Sequence, residues 1–478
     1  MLSNRMEVDQ IPSFAEEPAF DVLVIGGGNA ALCAAMSARH RGASVLLLER
    51  APAHMRAGNT RHTRNIRCVR VAHGSAASGV YSEEEFLEDL IQVTGNPPNM
   101  DLAKRTIRES RDLPRWMSEH GVCWQEPLAG TLNLGRTNRW FLGGGKALAN
   151  VYYQKAMEMG VHVRYGSFVE DLVIENAQFR AAVVNVGSVK TKIGARAAVV
   201  ATGGFEANLG WLKTLWGEAA DNFIVRGTPY NDGTLLAKLL EKGANPIGDP
   251  KGFHAVAVDA RAPKFDGGIV TRLDAIPFGI VVNRHGLRFY DEGENIWPKR
   301  YASWGRLIAE QPGQIAYCIV DSKTIHGFLP PMYKPFCADT IPGLANLLNL
   351  DANAFSQTVE DFNRATAGNT NLRMECLDGL SSRGLRPAKT NWAVPIDSPP
   401  FYGLPLRPGV TFTYMGVTID DRSRVVEQSG RPFKNVFAAG EIMSGNILTK
   451  GYLAGFGLTI GSVSGKLAGE EAANYARS

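Results

Sequence analysis

The chain has 478 residues, of which 51 are Lys or Arg and 47 are Asp or Glu, giving a formal net charge of +4, with 45% hydrophobic and 21% charged residues. That length exceeds one compact core and predicts two or more domains. The hydrophobic share excludes a largely disordered or collagen-like chain, and so slight a positive balance excludes a nucleic-acid footprint, so any cationic function must be local.

Residues 1–19 form a polar leader broken by Pro12 and Pro18, without the apolar run of a secretory signal. No segment reaches the length of a membrane span, and a cytoplasmic protein is expected. Cys33, Cys68, Cys123, Cys318, Cys337 and Cys376 are scattered with no C-x-x-C spacing, so no metal site is expected.

Asp21 to Ile25 is a short apolar run that stops at Gly26-Gly27-Gly28, which predicts a buried parallel strand entering a tight turn. Alanine-rich Asn29 to Arg41 predicts a helix that Gly42 ends, and Ser44 to Leu48 a second strand ending at Glu49. Helices are predicted over 83–93, 102–120 and 146–160, and strands over 161–165, 168–174 and 197–201. From about 255 to about 409 the pattern loosens into proline clusters and short elements, predicting a second domain. Asn435 to Ala439 is again a strand running into glycine, and 455–472 predicts a closing helix that rejoins the first domain.

Gly26-x-Gly28-x-x-Ala31 between that strand and helix, with Asn29 and Ala30 inside it, matches a dinucleotide fingerprint. Side chains at the glycines would keep the pyrophosphate from backbone N–H groups at the helix start. Glu49, about 20 residues on, stands where a carboxylate accepts from ribose hydroxyls, next to Arg50. Two later strand ends, Ala201-Thr202-Gly203 and Gly440-Glu441, offer backbone to the same ligand, and a long cofactor embraced by distant segments predicts FAD rather than NAD.

With Val24 to Ala31, Ala201 to Phe205, Val281 to Phe289 and Ala439 to Glu441, the chain resembles the flavoprotein family of fumarate reductases, succinate dehydrogenases, aspartate oxidases and ketosteroid dehydrogenases. Gly58 to Arg67, Phe289 to Glu294, Trp297 to Tyr301, Gly445-Asn446 and Lys450 to Gly455 resemble its tricarballylate-oxidising branch, and much of this is shared with a flavoprotein of cobalamin synthesis. The resemblance implies an α/β fold: a Rossmann-like FAD-binding domain made of both chain ends (20–254 and 410–478) with an inserted α+β capping domain (255–409). It implies noncovalent FAD, because Gly58-Asn59-Thr60, which approaches the flavin, lacks the histidine that succinate dehydrogenases attach; Asn446 joins the cofactor contacts.

The same resemblance implies the chemistry: hydride transfer from tricarballylate to flavin N5, proton loss to a cationic side chain of the cap, and cis-aconitate as product. His254 falls at the substrate-binding histidine of fumarate reductases, and Thr271 at a substrate-contacting threonine. Arg272 stands where those enzymes have glutamate. For the proton-transfer arginine, counting back from Ser303 reaches Lys299 and a one-residue shift reaches Arg300, the favoured candidate; Arg288 is expected to be architectural. Tyr414 or Thr411 replaces an absent histidine, Lys450 is the expected carboxylate clamp, and Tyr452 resembles a tyrosine of ketosteroid dehydrogenases. In the basic run of 61–70, Arg61 and His62 are expected near the flavin, and Arg64, Arg67 and Arg70 on the surface. A separate electron acceptor is implied, in the resembled family a membrane iron-sulfur protein that passes electrons to quinone. The rival readings are fumarate reductase-like reduction, action on a tetrapyrrole or a ketosteroid-like enone, and a noncatalytic electron-transfer subunit.

Overall fold

A computed structural model describes residues 20–71, 79–126 and 135–478; the expected leader, 1–19, lies outside them. The first strand-helix-strand unit forms as its sequence predicts: β1 (Phe20–Ile25), α1 (Asn29–His40) and β2 (Val45–Leu48). β1 pairs in parallel with β2, and both are buried along most of their length, which explains their unbroken apolar sequences.

Next come α2 (Glu83–Thr94) and two shorter helices, Met100–Glu109 and Leu113–Glu119, where the sequence predicted one. Pro114 sits in the first turn of the second, where its missing N–H costs nothing, whereas one continuous helix would need that donor. α3 (Gly144–Glu158) leads to β3 (His162–Arg164), then to β4 (Ser167–Glu175), β5 (Gln178–Val186) and β6 (Val189–Val200). β6 begins eight residues before the apolar run 197–201, because its first half pairs with β5 and is largely exposed, so its sequence there is polar.

β7 (Ile224–Val225), β8 (Phe253–Asp259), β9 (Ile280–Asn283), the single-turn α4 (Trp297–Arg300), β10 (Ala316–Asp321) and β11 (Phe401–Thr413) build the second unit. Its sheet runs β7-β11-β10-β9, with β8 and the short strand Phe336–Ala338 also paired to β11. The expected cuts at 254 and 410 fall inside β8 and β11, so this sheet begins and ends beyond them.

β12 (Arg424–Val426), β13 (Pro432–Ala438) and α5 (Phe456–Arg477) close the chain. The main sheet has the order β12-β13-β6-β1-β2-β3, with the β4–β5 hairpin attached to β6, so the C-terminal β13 inserts beside strands from the N-terminal half. α5 packs on α1, and a methyl group at Gly465 or Gly469 would run into the carbonyl of Ala30 or Ala34. Glycine at four-residue spacing therefore lets the last helix lie against the first.

Candidate active site

One cavity opens at the carboxyl ends of four adjacent parallel strands. Its wall includes 26–30 after β1, 49–51 after β2, 201–203 after β6 and 439–441 after β13. In an open α/β sheet this crevice is where a ligand binds. Gly26 has φ +111°, and a side chain there would strike the Ala201 carbonyl. At Gly28 an added methyl would touch the Thr60 hydroxyl at 3.5 Å and the Ala57 carbonyl at 3.7 Å, ordinary contacts without a clash, so no protein atom crowds the start of α1.

Glu49 is buried at the cavity wall. Its Oε1 accepts from the Ala51 N–H at 2.8 Å and its Oε2 from the Ala57 N–H at 3.3 Å. Burial pushes its proton affinity up while those two donors pull against it. Arg50 pairs with Asp232 at 2.6 Å and lies over the Phe168 ring at 4.2 Å.

Beyond Gly58-Asn59-Thr60, which also line the cavity, the wall becomes cationic. Arg64, Arg226 and Arg272 converge there, and one buried carboxylate, Asp274, serves two of them. Its Oδ1 accepts from Arg272 at 2.7 Å and from the Trp297 indole N–H at 2.6 Å, and its Oδ2 lies 3.7 Å from Arg64. Arg226 donates to the Thr411 hydroxyl at 3.1 Å and to the His62 carbonyl at 2.9 Å. Arg226 Nε, Arg272 Nε and one terminal nitrogen of Arg64 are buried with no hydrogen-bond partner.

Burial, then mutual repulsion with Arg272, depresses Arg64 to about 9 and Arg226 to about 10. Burial alone would raise Asp274, but Arg272 and Arg64 outweigh it and hold it below the usual carboxylate range. His254 is held well below its ordinary value by burial and by Arg226 and Arg272, so its imidazole is neutral. Its Nε2 lies 3.3 Å from the Tyr301 hydroxyl, its Nδ1 has no hydrogen-bond partner, and its ring centroid lies 4.0 Å from that of Tyr452. Arg272 in turn lies over the Tyr301 ring at 4.7 Å.

The sequence family described as an FAD binding domain matches residues 21–457. The chain belongs to that family. The flavoprotein is 26% identical over 475 residues to a probable fumarate reductase of Shewanella frigidimarina, covering 95% of this chain and 75% of the relative. It is 24% identical to an NADH:fumarate oxidoreductase of Klebsiella pneumoniae, covering 99% of this chain and 50% of the longer relative. Its fold is that of a flavocytochrome c3 fumarate reductase solved in an open conformation, with a TM-score of 0.75 at 22% identity over 97% of this chain and 80% of that one. A ketosteroid dehydrogenase from Rhodococcus jostii gives a TM-score of 0.71 at 22% identity over 95% and 96% of the two chains. The flavoprotein is an FAD-dependent oxidoreductase, similar in sequence and fold to fumarate reductases.

The residues fit FAD: the clearance over Gly28 admits a pyrophosphate at a helix start, and Glu49 keeps acceptor capacity toward the cavity. Of the expected cofactor contacts, Gly26, Gly28, Asn29, Ala30, Glu49, Arg50, Gly58, Asn59, Thr60, Ala201, Thr202, Gly203, Gly440 and Glu441 line the cavity of the flavoprotein. Ala31 and Asn446 are buried outside the lining. The Asn446 amide donates to the Val417 and Met443 carbonyls at 3.0 and 2.6 Å, so its work is architectural.

Among the expected substrate and catalytic groups, His254, Arg272 and Tyr452 reach the cavity of the flavoprotein, as does Thr411. The Tyr452 hydroxyl accepts from the Gly457 N–H at 2.7 Å. Five other candidates stand outside the lining. Arg300 is engaged by Glu294 and the Tyr290 hydroxyl. Lys299 pairs with Asp89 of α2 at 2.6 Å. Lys450 is exposed, the Tyr414 hydroxyl is taken by the Gly451 carbonyl, and the Thr271 hydroxyl donates to the Gly268 carbonyl at 3.1 Å.

Arg288 is architectural as expected, pairing with the buried Glu292. Arg61 meets Asp266 at 3.5 Å, and His62 reaches the cavity wall with Nε2 2.7 Å from the same carboxylate. The surface role expected of Arg64 and Arg67 is corrected: Arg64 joins the cation cluster, and Arg67 is fully buried on Tyr81 and Asp89. Sequence reading missed Arg226, Trp297 and Tyr301. The available signals were an arginine closing the apolar run Phe223-Ile-Val225 and two aromatics spaced one helical turn apart.

Proposed function

We propose that the flavoprotein desaturates a small polycarboxylate, with tricarballylate to cis-aconitate as the reaction, on noncovalently held FAD. The observation that carries this reading is the trio of arginines lining the cavity, one of them buried, with one buried carboxylate among them. Buried charges are tolerated when paired, so Arg226 Nε and Arg272 Nε, which lack hydrogen-bond partners, and Arg64, held by Asp274 only at 3.7 Å, ask for further anions. Guanidinium groups grip carboxylates through two parallel donors, and a substrate with three carboxylates supplies enough acceptors. The three arginines place fixed positive charge where a macrocycle or steroid would meet no matching group.

FAD, when bound, supplies the two-electron acceptor for the hydride. The chain's own residues do the rest. Arg64, Arg226 and Arg272 orient the substrate and stabilise the charge that develops as the C–H bond next to a carboxylate breaks. Neutral His254 accepts the departing proton at a ring nitrogen, with the Tyr301 hydroxyl beside Nε2 to orient it. The arginine field opposes that protonation, and the substrate's carboxylates offset the field once they bind. Electrons then leave to a separate acceptor, since the cysteine spacing carries no iron-sulfur pattern; an iron-sulfur, quinone-reactive protein at the inner membrane is the proposed partner.

Turnover with an artificial electron-accepting dye tests the substrate class. Specificity should rise from monocarboxylates through succinate to tricarballylate, with cis-aconitate recovered as product. A preference for a steroid enone or a tetrapyrrole would sink the reading.

A further inference from the structure

A second pair of acids lies against the same cavity, with no part in substrate binding. Glu206, at the start of the segment after Phe205, is completely buried, and Glu441, directly after Gly440, is buried at the cavity wall. A methyl group at Gly204 would run into both carboxyls, Glu441 through Oε1 and Glu206 through Oε2, so the two acids face each other across that glycine. Glu206 Oε1 accepts from the Asn59 amide at 2.5 Å and the Asn231 amide at 2.8 Å. Glu441 Oε1 accepts from the Thr413 N–H at 2.7 Å and lies 3.1 Å from its hydroxyl. Glu206 Oε2 is buried with no hydrogen-bond partner among the described residues, a deficit that a proton held between the two acids would fill.

We propose that Glu206 and Glu441 share one proton beside the oxidised cofactor and take up a second from solvent when two electrons enter the cavity. The pair carries one negative charge while the proton is shared. Two adjacent carboxylates in a dry site cannot both ionise, which fixes that state. Hydride transfer places a further negative charge in the cavity, and one solvent proton added to the pair neutralises the older charge; no electron enters or leaves the acids.

The surroundings do not supply a competing cation at contact. The neighbours that bond to the pair, Asn59, Asn231 and Thr413, are neutral, and Tyr452 faces Glu441 from the segment before α5 with its hydroxyl held protonated by burial. Arg226 reaches Thr411, two residues along β11 from Thr413, and Asp232, next to Asn231, is paired with Arg50. Burial pushes Glu206 up to about 7, and burial with the Glu206 charge raises Glu441 well above its ordinary value, so the singly charged state is the one present above about pH 7. The inference depends on FAD binding alone and stands or falls apart from the identity of the substrate.

The midpoint potential of the bound flavin, titrated with a chemical reductant from about pH 7 to about pH 8.5, tests it without any substrate. In the holoenzyme the potential should fall by about 59 mV per pH unit, two protons for two electrons. In Glu206→Gln and in Glu441→Gln the slope should halve to about 30 mV per pH unit, and the potential at the alkaline end should rise because a fixed negative charge is gone. A wild-type slope near 30 mV, or an unchanged slope in both variants, overturns the proposal. Should the variants not retain FAD, the wild-type slope decides, together with reduced-minus-oxidised infrared spectra: loss of an ionised-carboxylate band on reduction supports the shared proton, and its absence refutes it.

Discussion

Arg226, Lys450 and Arg300 carry the same charge in very different settings, so single substitutions separate them. Arg226 is buried in the cavity wall, and Arg226→Ala should lower kcat/KM by about 100-fold, the roughly 3 kcal/mol of a buried charged contact to substrate. Lys450→Ala and Arg300→Ala remove cations outside the lining, and each should change kcat/KM by about twofold or less. Steady-state kinetics with tricarballylate check the ranking, and an inactive Arg300→Ala would return the proton to that side chain. Arg64→Ala removes a second cation of the same wall and should also lower kcat/KM, with KM raised more than kcat is lowered; an unchanged KM would remove Arg64 from the carboxylate grip.

The elements nearest the cofactor make a contrasting pair of tests. Gly28→Val brings its Cβ into ordinary contact with Thr60 and Ala57, without a clash, where the pyrophosphate would lie, so the protein should fold with a near-normal melting temperature yet purify without flavin. Gly465→Val instead drives a side chain into the Ala30 carbonyl where α5 crosses α1, and overpacking of this kind costs about 1–3 kcal/mol, with flavin lost only as the helices part. Thermal melts and the ratio of flavin to protein absorbance distinguish the two. These elements were legible in the sequence because each is a local pattern: an apolar run, a glycine turn, an alanine-rich helix and an acid at fixed spacing. The polar half of β6 was not, because an exposed strand in a hairpin has no apolar run to mark it. Nor was the cation cluster, whose members lie at 64, 226 and 272 and meet only through the packing of two sheets. Counting along the chain reached Lys299 and Arg300, but acids outside the cavity, Asp89 and Glu294, hold those side chains, and the neighbouring Tyr301 lines it instead.

At the scale of the whole molecule, both chain ends build the cofactor crevice and the middle of the chain closes its far end. β13 must join β6 before the 439–441 wall exists, and β8 must reach β11 before His254 faces Tyr301. No helix among the described residues is long and apolar enough to cross a membrane. The central claim, that FAD takes two electrons from a small polycarboxylate held by three arginines, is tested most directly by anaerobic titration of the oxidised holoenzyme with tricarballylate. The account predicts that the yellow absorbance bleaches as substrate is added and that cis-aconitate appears in step with it. Absorbance that is untouched by tricarballylate but abolished by dithionite would contradict it.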